Sequence, residues 1–225
     1  MKDIELLREG IGALRRNDKD IDRLLGAEEV IPLLTRYIHE IELFNEAYGL
    51  VGAKDTEELV IKHILDSLAP LGIISRLLET CTAQKPQIAD AGSGAGLPGI
   101  PLAIALPDAE FTLIERMGRR AGFLWNTKAI LGVSNIAVEE GELEKTAPER
   151  FNLVTFRAFK PLDSKLLKTL FKACAEGGVI AAYKGRKEKI EQEMATLSGN
   201  WEAVPYTVPF LDEERHIVVI KKFEI

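Results

Sequence analysis

The feature that most constrains this 225-residue chain is a glycine-rich segment between two apolar runs. Residues 88–106 read IADAGSGAGLPGIPLAIAL, with four glycines in the eight positions 92–99. Ordering a glycine inside a regular element costs about 0.5–1 kcal/mol relative to alanine. The segment therefore predicts a tight turn that needs bare backbone, between a buried strand and the helix that follows it.

Strand-like and helix-like patterns alternate after residue 86, and the alternation predicts βαβ units and a parallel sheet. The runs that we interpret as its strands are QIADA, FTLIE, NIAVEE, FNLVTFRA and GGVIAAYK. Two last runs, WEAVPYTVPF and RHIVVIKKF, alternate apolar and polar residues and predict a terminal antiparallel pair. We expect about seven strands in a mainly parallel α/β sheet.

The first 80 residues have helical periodicity instead. We therefore predict an N-terminal helical extension over residues 1–85 and an α/β core over residues 86–225, together forming one compact unit. No apolar run reaches 18 residues, and the N-terminus MKDIELLREG is charged where a signal peptide would be apolar. We expect a soluble cytoplasmic protein that does not enter a membrane.

Composition limits the classes of partner and cofactor. The net charge is −6, but residues 1–110 carry −8 and residues 111–225 carry +2. An anionic polymer would therefore meet the C-terminal half. Cys81 and Cys174 are too far apart in sequence to suggest a disulfide framework, and the three histidines lack ligand spacing. We expect no metal.

The glycine turn lies where a strand ends and a helix begins, which is where open α/β sheets bind ligands. Read from Gly94, it fits G-x-G-x-x-G, the fingerprint of nicotinamide-dependent oxidoreductases. Read from Asp90, it gives D-x-G-x-G-x-G, which resembles motif I of S-adenosylmethionine-dependent methyltransferases. The second register fits better, because its first glycine leaves the strand directly. It makes Asp90, Gly92, Gly94 and Gly96 candidate cofactor-binding residues.

Glu115 ends the second predicted strand and is a candidate for the ribose of the cofactor. Its carboxylate can accept hydrogen bonds from both ribose hydroxyls. Nicotinamide enzymes place an acid at the same position, so Glu115 indicates a ribose without choosing between the two cofactors.

Longer segments carry a family resemblance. DAGSGAGLPGIPLAIALPDAEFTLIERMGRRAGFL, FNLVTFRAFKPL, YKG and ERHIVVIKK closely resemble the bacterial ribosomal small-subunit RNA methyltransferase G family, also called glucose-inhibited division protein B. The resemblance covers roughly residues 30–222. It implies a Rossmann-like methyltransferase fold that uses S-adenosylmethionine to methylate N7 of one guanine in 16S ribosomal RNA. Glu115 departs from the family, which more commonly has Asp there.

Further cofactor contacts are implied by that resemblance. They fall on Gly92, Leu97, Leu143, Glu144 and Arg157. The partner that it implies is 16S ribosomal RNA, either free or within the 30S particle, and we expect the protein to act as a monomer.

Guanine N7 carries a lone pair and no proton, so its methylation needs no general base. Catalysis should instead come from alignment, which can lower a barrier by roughly 7–11 kcal/mol. Arg157 and Lys184 are the catalytic candidates, because each ends an apolar strand where an unpaired charge is costly. His63, in KHILDS, either packs between helices or lines the mouth of the active site.

The basic residues that we assign to RNA phosphates follow strand ends and helix starts. They are Arg119, Arg120, Lys160, Arg186 and Arg215. Three alternatives to an RNA methyltransferase stay open from the residues alone, and one of them is a non-catalytic sensor of an adenosyl ligand. The chain could methylate a small molecule on the same fold, or, less favoured, it could be a nicotinamide-dependent oxidoreductase.

Overall fold

A seven-stranded sheet forms the centre of the computed structural model, which describes residues 2–81, 83–158, 161–197 and 199–221. The strand order is β3-β2-β1-β4-β5-β7-β6. The first five strands in this order are parallel, and β7 pairs antiparallel with both β5 and β6. The strands are β1 (Gln87–Ala91), β2 (Glu110–Glu115), β3 (Ile136–Glu140), β4 (Phe151–Arg157), β5 (Cys174–Lys184), β6 (Asn200–Tyr206) and β7 (Arg215–Lys221). The predicted fold class is confirmed.

Helices precede the sheet and alternate with its strands. They are α1 (Lys2–Asn17), α2 (Lys19–Leu25), α3 (Val30–Tyr48), α4 (Thr56–Leu59), a π-helical segment (Val60–Leu65), α5 (Asp66–Leu68), α6 (Leu71–Glu79), α7 (Gly99–Ala105), α8 (Gly118–Leu131), a 3₁₀ turn (Leu143–Lys145), α9 (Ser164–Ala173) and α10 (Lys187–Met194). Helix α10 was not predicted, because only Ile190 and Met194 of its sequence are buried. Across the described ranges, every helix is too short or too polar to cross a lipid bilayer.

Two apolar clusters cover the two faces of the sheet. One contains residues of α1 to α8 and of the sheet, from Leu7 to Val219. The other contains residues of α9 and α10 together with the opposite face of the strands, such as Val154. The predicted boundary after residue 85 falls in the loop between α6 and β1. The first apolar cluster crosses that boundary, so the N-terminal helices share their core with α7 and α8.

The chain reverses its direction of travel across the sheet at β1. Strand β2 lies on one side of β1, and β4 lies on the other. In open α/β sheets, a crevice for ligands forms at such a switch point, outside the carboxyl ends of the two strands. The carboxyl ends of β1 and β4 are therefore where a site is expected, and they carry the glycine turn and Arg157.

Candidate active site

The turn after β1 adopts a backbone conformation that favours glycine. Gly92, Gly94 and Gly96 have φ angles of 70°, 59° and 91°, all in the left-handed region. At Gly96, an added Cβ would lie 2.4 Å from Cδ1 of Ile100. At Gly94, an added Cβ would meet nothing closer than 3.9 Å. Gly96 is thus required by packing, whereas a methyl group at Gly94 would make only ordinary van der Waals contacts.

Hydrogen bonds from neighbouring elements hold this turn. The N–H groups of Gly92 and Ser93 donate to the carbonyl of Ile114, at 2.9 and 3.1 Å. The fully buried Tyr37, on α3, donates its hydroxyl to the carbonyl of Ala95 at 2.7 Å. Its helical periodicity predicts only a core position for Tyr37, and nothing in the sequence pattern indicates the bond to the turn.

Asp90 lies behind the turn and is fully buried. Its Oδ2 accepts a hydrogen bond from the N–H of Gly99 at 3.0 Å, and its Oδ1 has no hydrogen-bond partner among the described residues. Burial raises the pKa of this carboxyl to about 7, against the opposing effect of the Gly99 bond. Asp90 therefore secures the start of α7 and retains one free acceptor atom.

Glu115 bridges the turn and the start of α8. One carboxylate oxygen accepts from the N–H of Gly94 at 2.9 Å, and the other accepts from the N–H of Met117 at 2.8 Å. An ionised carboxylate offers about four lone-pair positions. Glu115 can therefore keep both bonds and still accept from two further hydroxyl groups.

A cavity of about 80 Å³ opens beside these residues. It brings together Gly92, Leu143 and Glu144, three of the predicted cofactor contacts, with Ile114 and Arg116. Leu97, also predicted as a contact, is buried within the turn. An adenosyl cofactor needs an apolar surface for its base, an acceptor for its ribose hydroxyls and exposed backbone for its polar groups, and the cavity, the free lone pairs of Glu115 and the glycine turn offer these. The residues present fit that cofactor.

A larger cleft of about 800 Å³ lies at the carboxyl ends of β4 and β5. Arg157 lines it, and only 15% of this side chain is exposed. Its Nη1 donates to the carbonyl of Lys62 at 3.0 Å and to Oδ2 of Asp66 at 3.2 Å, and its Nη2 lies 2.9 Å from Nδ1 of His63. The N-terminal π-helical segment therefore holds the arginine that ends β4.

Asp66 is the centre of this arrangement, with 6% of its side chain exposed. Besides Arg157, it pairs with Nε of Arg215 at 3.3 Å and accepts the hydroxyl of Tyr206 at 3.0 Å. Burial and the Asp66 charge raise the pKa of Tyr206, so its hydroxyl stays a donor. We call Asp66, His63, Arg157, Tyr206 and Arg215 the Asp66 cluster.

His63 lines the cleft as well. Burial first, and the Arg157 charge second, lower the pKa of His63 to about 4. The imidazole is therefore neutral at pH 7. Because Nδ1 faces the Arg157 guanidinium, that nitrogen is the acceptor, and we infer that Nε2 carries the proton.

Lys184, at the end of β5, is also paired. Its Nζ lies 2.8 and 2.9 Å from the two carboxylate oxygens of Glu193 on α10, and 5.9 Å from the centroid of the Phe156 ring. Lys184 and Arg157 were predicted as functional residues because an unpaired charge is costly at the end of an apolar strand. The structure provides each with a carboxylate, and neither Asp66 nor Glu193 was among the predicted site residues.

The basic residues predicted to bind RNA separate into two groups. Arg215 and Arg186 lie at the cleft and at the cavity that adjoins it. Arg119 and Arg120 instead donate to carbonyls at the end of α3, those of Ala47 at 3.4 Å and Gly49 at 2.9 Å. Lys160 lies outside the described residues.

Of the residues that sequence reasoning missed, Asp66 carried the only usable signal. It stands in the KHILDS segment, already singled out for His63. Tyr206 and Glu193 have no local pattern that marks them, since each meets the cleft only through the fold. Within the described ranges, no group of three or more His, Cys, Asp or Glu side chains is placed to hold a metal ion.

Residues 30–218 match the family model described as rRNA small subunit methyltransferase G. A ribosomal RNA small subunit methyltransferase G from Treponema denticola is 36% identical, over 96% of this chain and 94% of the relative. One from Treponema pallidum is 40% identical over 86% of each chain. One from Cellvibrio japonicus is 35% identical over 85% of this chain and 86% of the relative.

Solved structures support the fold. A SAM-dependent methyltransferase from Aquifex aeolicus superposes with a TM-score of 0.53 at 14% identity, covering 74% of this chain and 93% of that one. A tRNA (m1A58) methyltransferase from the same organism gives 0.52 at 14% identity, covering 69% and 70%. At this level of identity, the likeness is evidence for the fold alone.

Proposed function

The chain belongs to the rRNA small subunit methyltransferase G family, and from this premise we propose that it methylates N7 of one guanine in 16S ribosomal RNA. It is an rRNA methyltransferase that uses S-adenosylmethionine. The observation that carries the proposal is the adjacency of two sites. The glycine turn follows β1, and the Asp66 cluster lies at the end of β4, the neighbouring strand.

The cofactor would be held by the glycine turn, with Glu115 on the ribose and with Leu143 and Glu144 at the cavity beside Gly92. When bound there, S-adenosylmethionine supplies a methyl group on a positively charged sulfur. Asp90 and Tyr37 act behind the turn, where their bonds to Gly99 and Ala95 fix its shape. They are positioning residues for the cofactor.

The guanine would enter the cleft beside the Asp66 cluster. Its N7 has no proton to lose, so none of the residues lining the cleft needs to act as a base. The protein then has to hold N7 of the base in line with the methyl group and to keep water out of the path of the transfer. Arg157 is suited to orient the base, because Asp66, His63 and the Lys62 carbonyl fix its guanidinium.

The carboxylate partners of Arg157 and Lys184 suit this reaction in a second way. Methylation at N7 leaves the guanine with a positive charge, which an unpaired cation nearby would repel. Asp66 and Glu193 offset the charges of Arg157 and Lys184. We propose that these two paired cations contact the substrate without opposing the charge that develops on it.

The oligomeric state of the enzyme and the form of its RNA substrate complete the proposal. We propose that the enzyme acts as a cytoplasmic monomer, on 16S RNA alone or within the 30S particle. Of the RNA-binding candidates, Arg215 lines the cleft and Arg186 lines the cavity that adjoins it, and we propose that these two residues reach the phosphates nearest the target.

Methyl transfer to RNA tests the proposal directly. The protein is incubated with methyl-labelled S-adenosylmethionine and with 16S RNA or 30S subunits from cells that lack the activity. The RNA is then reduced with borohydride and treated with aniline, which cleaves at N7-methylguanine. We expect label in the RNA and cleavage at a single guanine.

Label that appears without an aniline-sensitive guanine would rule out N7 as the acceptor. An absence of label on both substrates would overturn the proposal as a whole. Calorimetric titration separates the cofactor alternatives, since S-adenosylhomocysteine should bind to this protein and NADH should not.

A further inference from the structure

Helix α9 has one apolar face and one cationic face. Leu166, Leu167 and Leu170 pack against the sheet. The outer face carries Lys165, Lys168 and Lys172, which line a shallow groove of about 490 Å³ together with Ser164 and Thr169. All three lysines are exposed. We call these three residues the lysine ridge.

Among the described residues, the lysine ridge has no neutralising partner. In the part of the chain that the structure describes, none of its three Nζ atoms lies within 4.0 Å of a carboxylate oxygen. Other lysines, such as Lys62 and Lys184, do form such pairs. Like charges three or four residues apart on a helix destabilise it by about 0.2–0.5 kcal/mol per pair. On a protein of net charge −6, such an arrangement indicates an anionic partner.

The lysine ridge begins beside the cleft of the proposed active site. Pro161, in the loop before α9, lines that cleft. The N–H of Leu162 donates to Glu193, the same carboxylate that holds Lys184, and Asp163 caps α9 by accepting from the N–H of Leu166 at 2.7 Å. The start of α9 is therefore fixed to the wall of the cleft, and the ridge leads away from it.

The length of the ridge suits a polyanion rather than a single small ion. Lys165 and Lys172 are separated by about 10 Å along the helix axis, at 1.5 Å per residue. Along a DNA duplex, each strand carries one phosphate per about 3.4 Å of helix axis. The three lysines can thus face more than one phosphate of a strand that extends from the cleft.

We propose that the lysine ridge binds the phosphate backbone of the substrate RNA next to the target guanine. This inference rests on the proposed function, and it adds a docking surface outside the cleft. Phosphate contacts supply affinity and salt dependence, whereas the choice of base stays with the cleft.

The test compares two triple variants of the full chain. One is Lys165→Gln, Lys168→Gln, Lys172→Gln. The matched control is Arg8→Gln, Arg16→Gln, Lys19→Gln, which removes three exposed cations from α1 and α2. Filter binding of 16S RNA over a series of KCl concentrations gives the affinity and its salt slope, and titration with S-adenosylhomocysteine reports the state of the cofactor site.

We expect the ridge variant to bind RNA about tenfold more weakly than the wild type at 0.15 M salt, with the slope of log affinity against log salt reduced by about 2. Its affinity for S-adenosylhomocysteine should be unchanged. The control should bind RNA as the wild type does. Replacing the three lysines by arginine should preserve the salt slope, because charge rather than shape is required.

Equal RNA affinities and salt slopes in the ridge variant and the control would overturn the inference, and the ridge would then serve another partner, such as an acidic protein or an anionic lipid surface. The binding measurement does not depend on methyl transfer. A wild-type protein that binds RNA through the ridge without forming N7-methylguanine would contradict the proposed function alone.

Discussion

The glycine turn and the Asp66 cluster stand at the ends of neighbouring strands, yet they are built in opposite ways. The turn uses ten successive residues, 90–99, and its working groups are mostly backbone. The Asp66 cluster joins side chains from the π-helical segment, α5, β4, β6 and β7. A backbone site can be read from local sequence, whereas a side-chain site exists only after distant segments have packed.

The two regions also treat charge differently. Asp90, behind the turn, is a buried carboxyl whose contacts within hydrogen-bond distance are neutral groups. Asp66 lies between two guanidinium groups and accepts a hydroxyl as well. The turn therefore carries a carboxyl that is easily protonated, and the cluster carries a carboxylate that is held by opposite charge.

A large loss of stability is expected from Gly96→Ala. The new Cβ would stand 2.4 Å from Ile100 and 3.0 Å from Leu124 on a backbone with φ of 91°, so crowding adds to left-handed strain. We expect the free energy of unfolding to fall by about 3 kcal/mol, measured with urea.

Gly94→Ala is the matched control for this substitution. The left-handed backbone at Gly94 should cost this variant about 1 kcal/mol of stability. A methyl group on the turn that we propose holds the cofactor should weaken S-adenosylhomocysteine binding at least tenfold. Unchanged cofactor affinity in Gly94→Ala would show that the turn does not hold the cofactor.

Asp66→Asn tests the other region. Removing this charge leaves two largely buried guanidinium groups without their shared partner, and breaking such a pair costs about 3 kcal/mol. Methyl transfer should fall steeply, because Arg157 loses its orientation. Cofactor affinity should change less than in Gly94→Ala. The measurements are urea unfolding and methylation rate.

Asp108→Asn, which alters an exposed acid before β2, serves as the control for the cluster variant. It should match the wild type in both stability and activity. If Asp66→Asn behaved in the same way as this control, the cluster would have no role in holding Arg157.

The stability of the wild type relative to Asp90→Asn should depend on pH. In the folded protein, the pKa of Asp90 is about 7, against 3.8 for the unfolded group, so the folded state retains the proton between these values. The contribution of Asp90 to stability is present at low pH and is lost as pH rises through 7. Between pH 5.5 and pH 8, wild type should lose about 2 kcal/mol relative to Asp90→Asn, measured by urea unfolding at both pH values. A constant difference would contradict the raised pKa.

His63→Asn should show the opposite slope with a smaller size. The pKa of His63 falls from 6.5 to about 4 on folding, so protonation of the unfolded chain lowers stability as pH falls below 6.5. From pH 8 to pH 5.5, wild type should lose about 1.4 kcal/mol relative to His63→Asn, in which the Asn Oδ1 can accept from Arg157. NMR titration of the His63 ring checks the same value, and a pKa near 6.5 would contradict it.

Much of the fold was predictable because its signals are local. Strands β1 to β5 were found from short apolar runs between helical patterns, and the terminal antiparallel pair from alternation. Helix α10 was missed, since its few buried residues give a weak pattern. Because α10 carries Glu193, the partner of Lys184, this residue of the site was missed together with the helix.

Sequence alone determined that a tight glycine turn follows the first strand, because closely spaced glycines allow backbone conformations that other residues avoid and leave N–H groups exposed beside a helix start. It also made Arg157 and Lys184 candidates for the site, because each stands at the end of an apolar strand. Only the tertiary structure decided what neutralises them, and that Arg119 and Arg120 hold α3 rather than line the cleft. Side-chain pairing depends on which distant segments meet, and no local pattern in a chain records that.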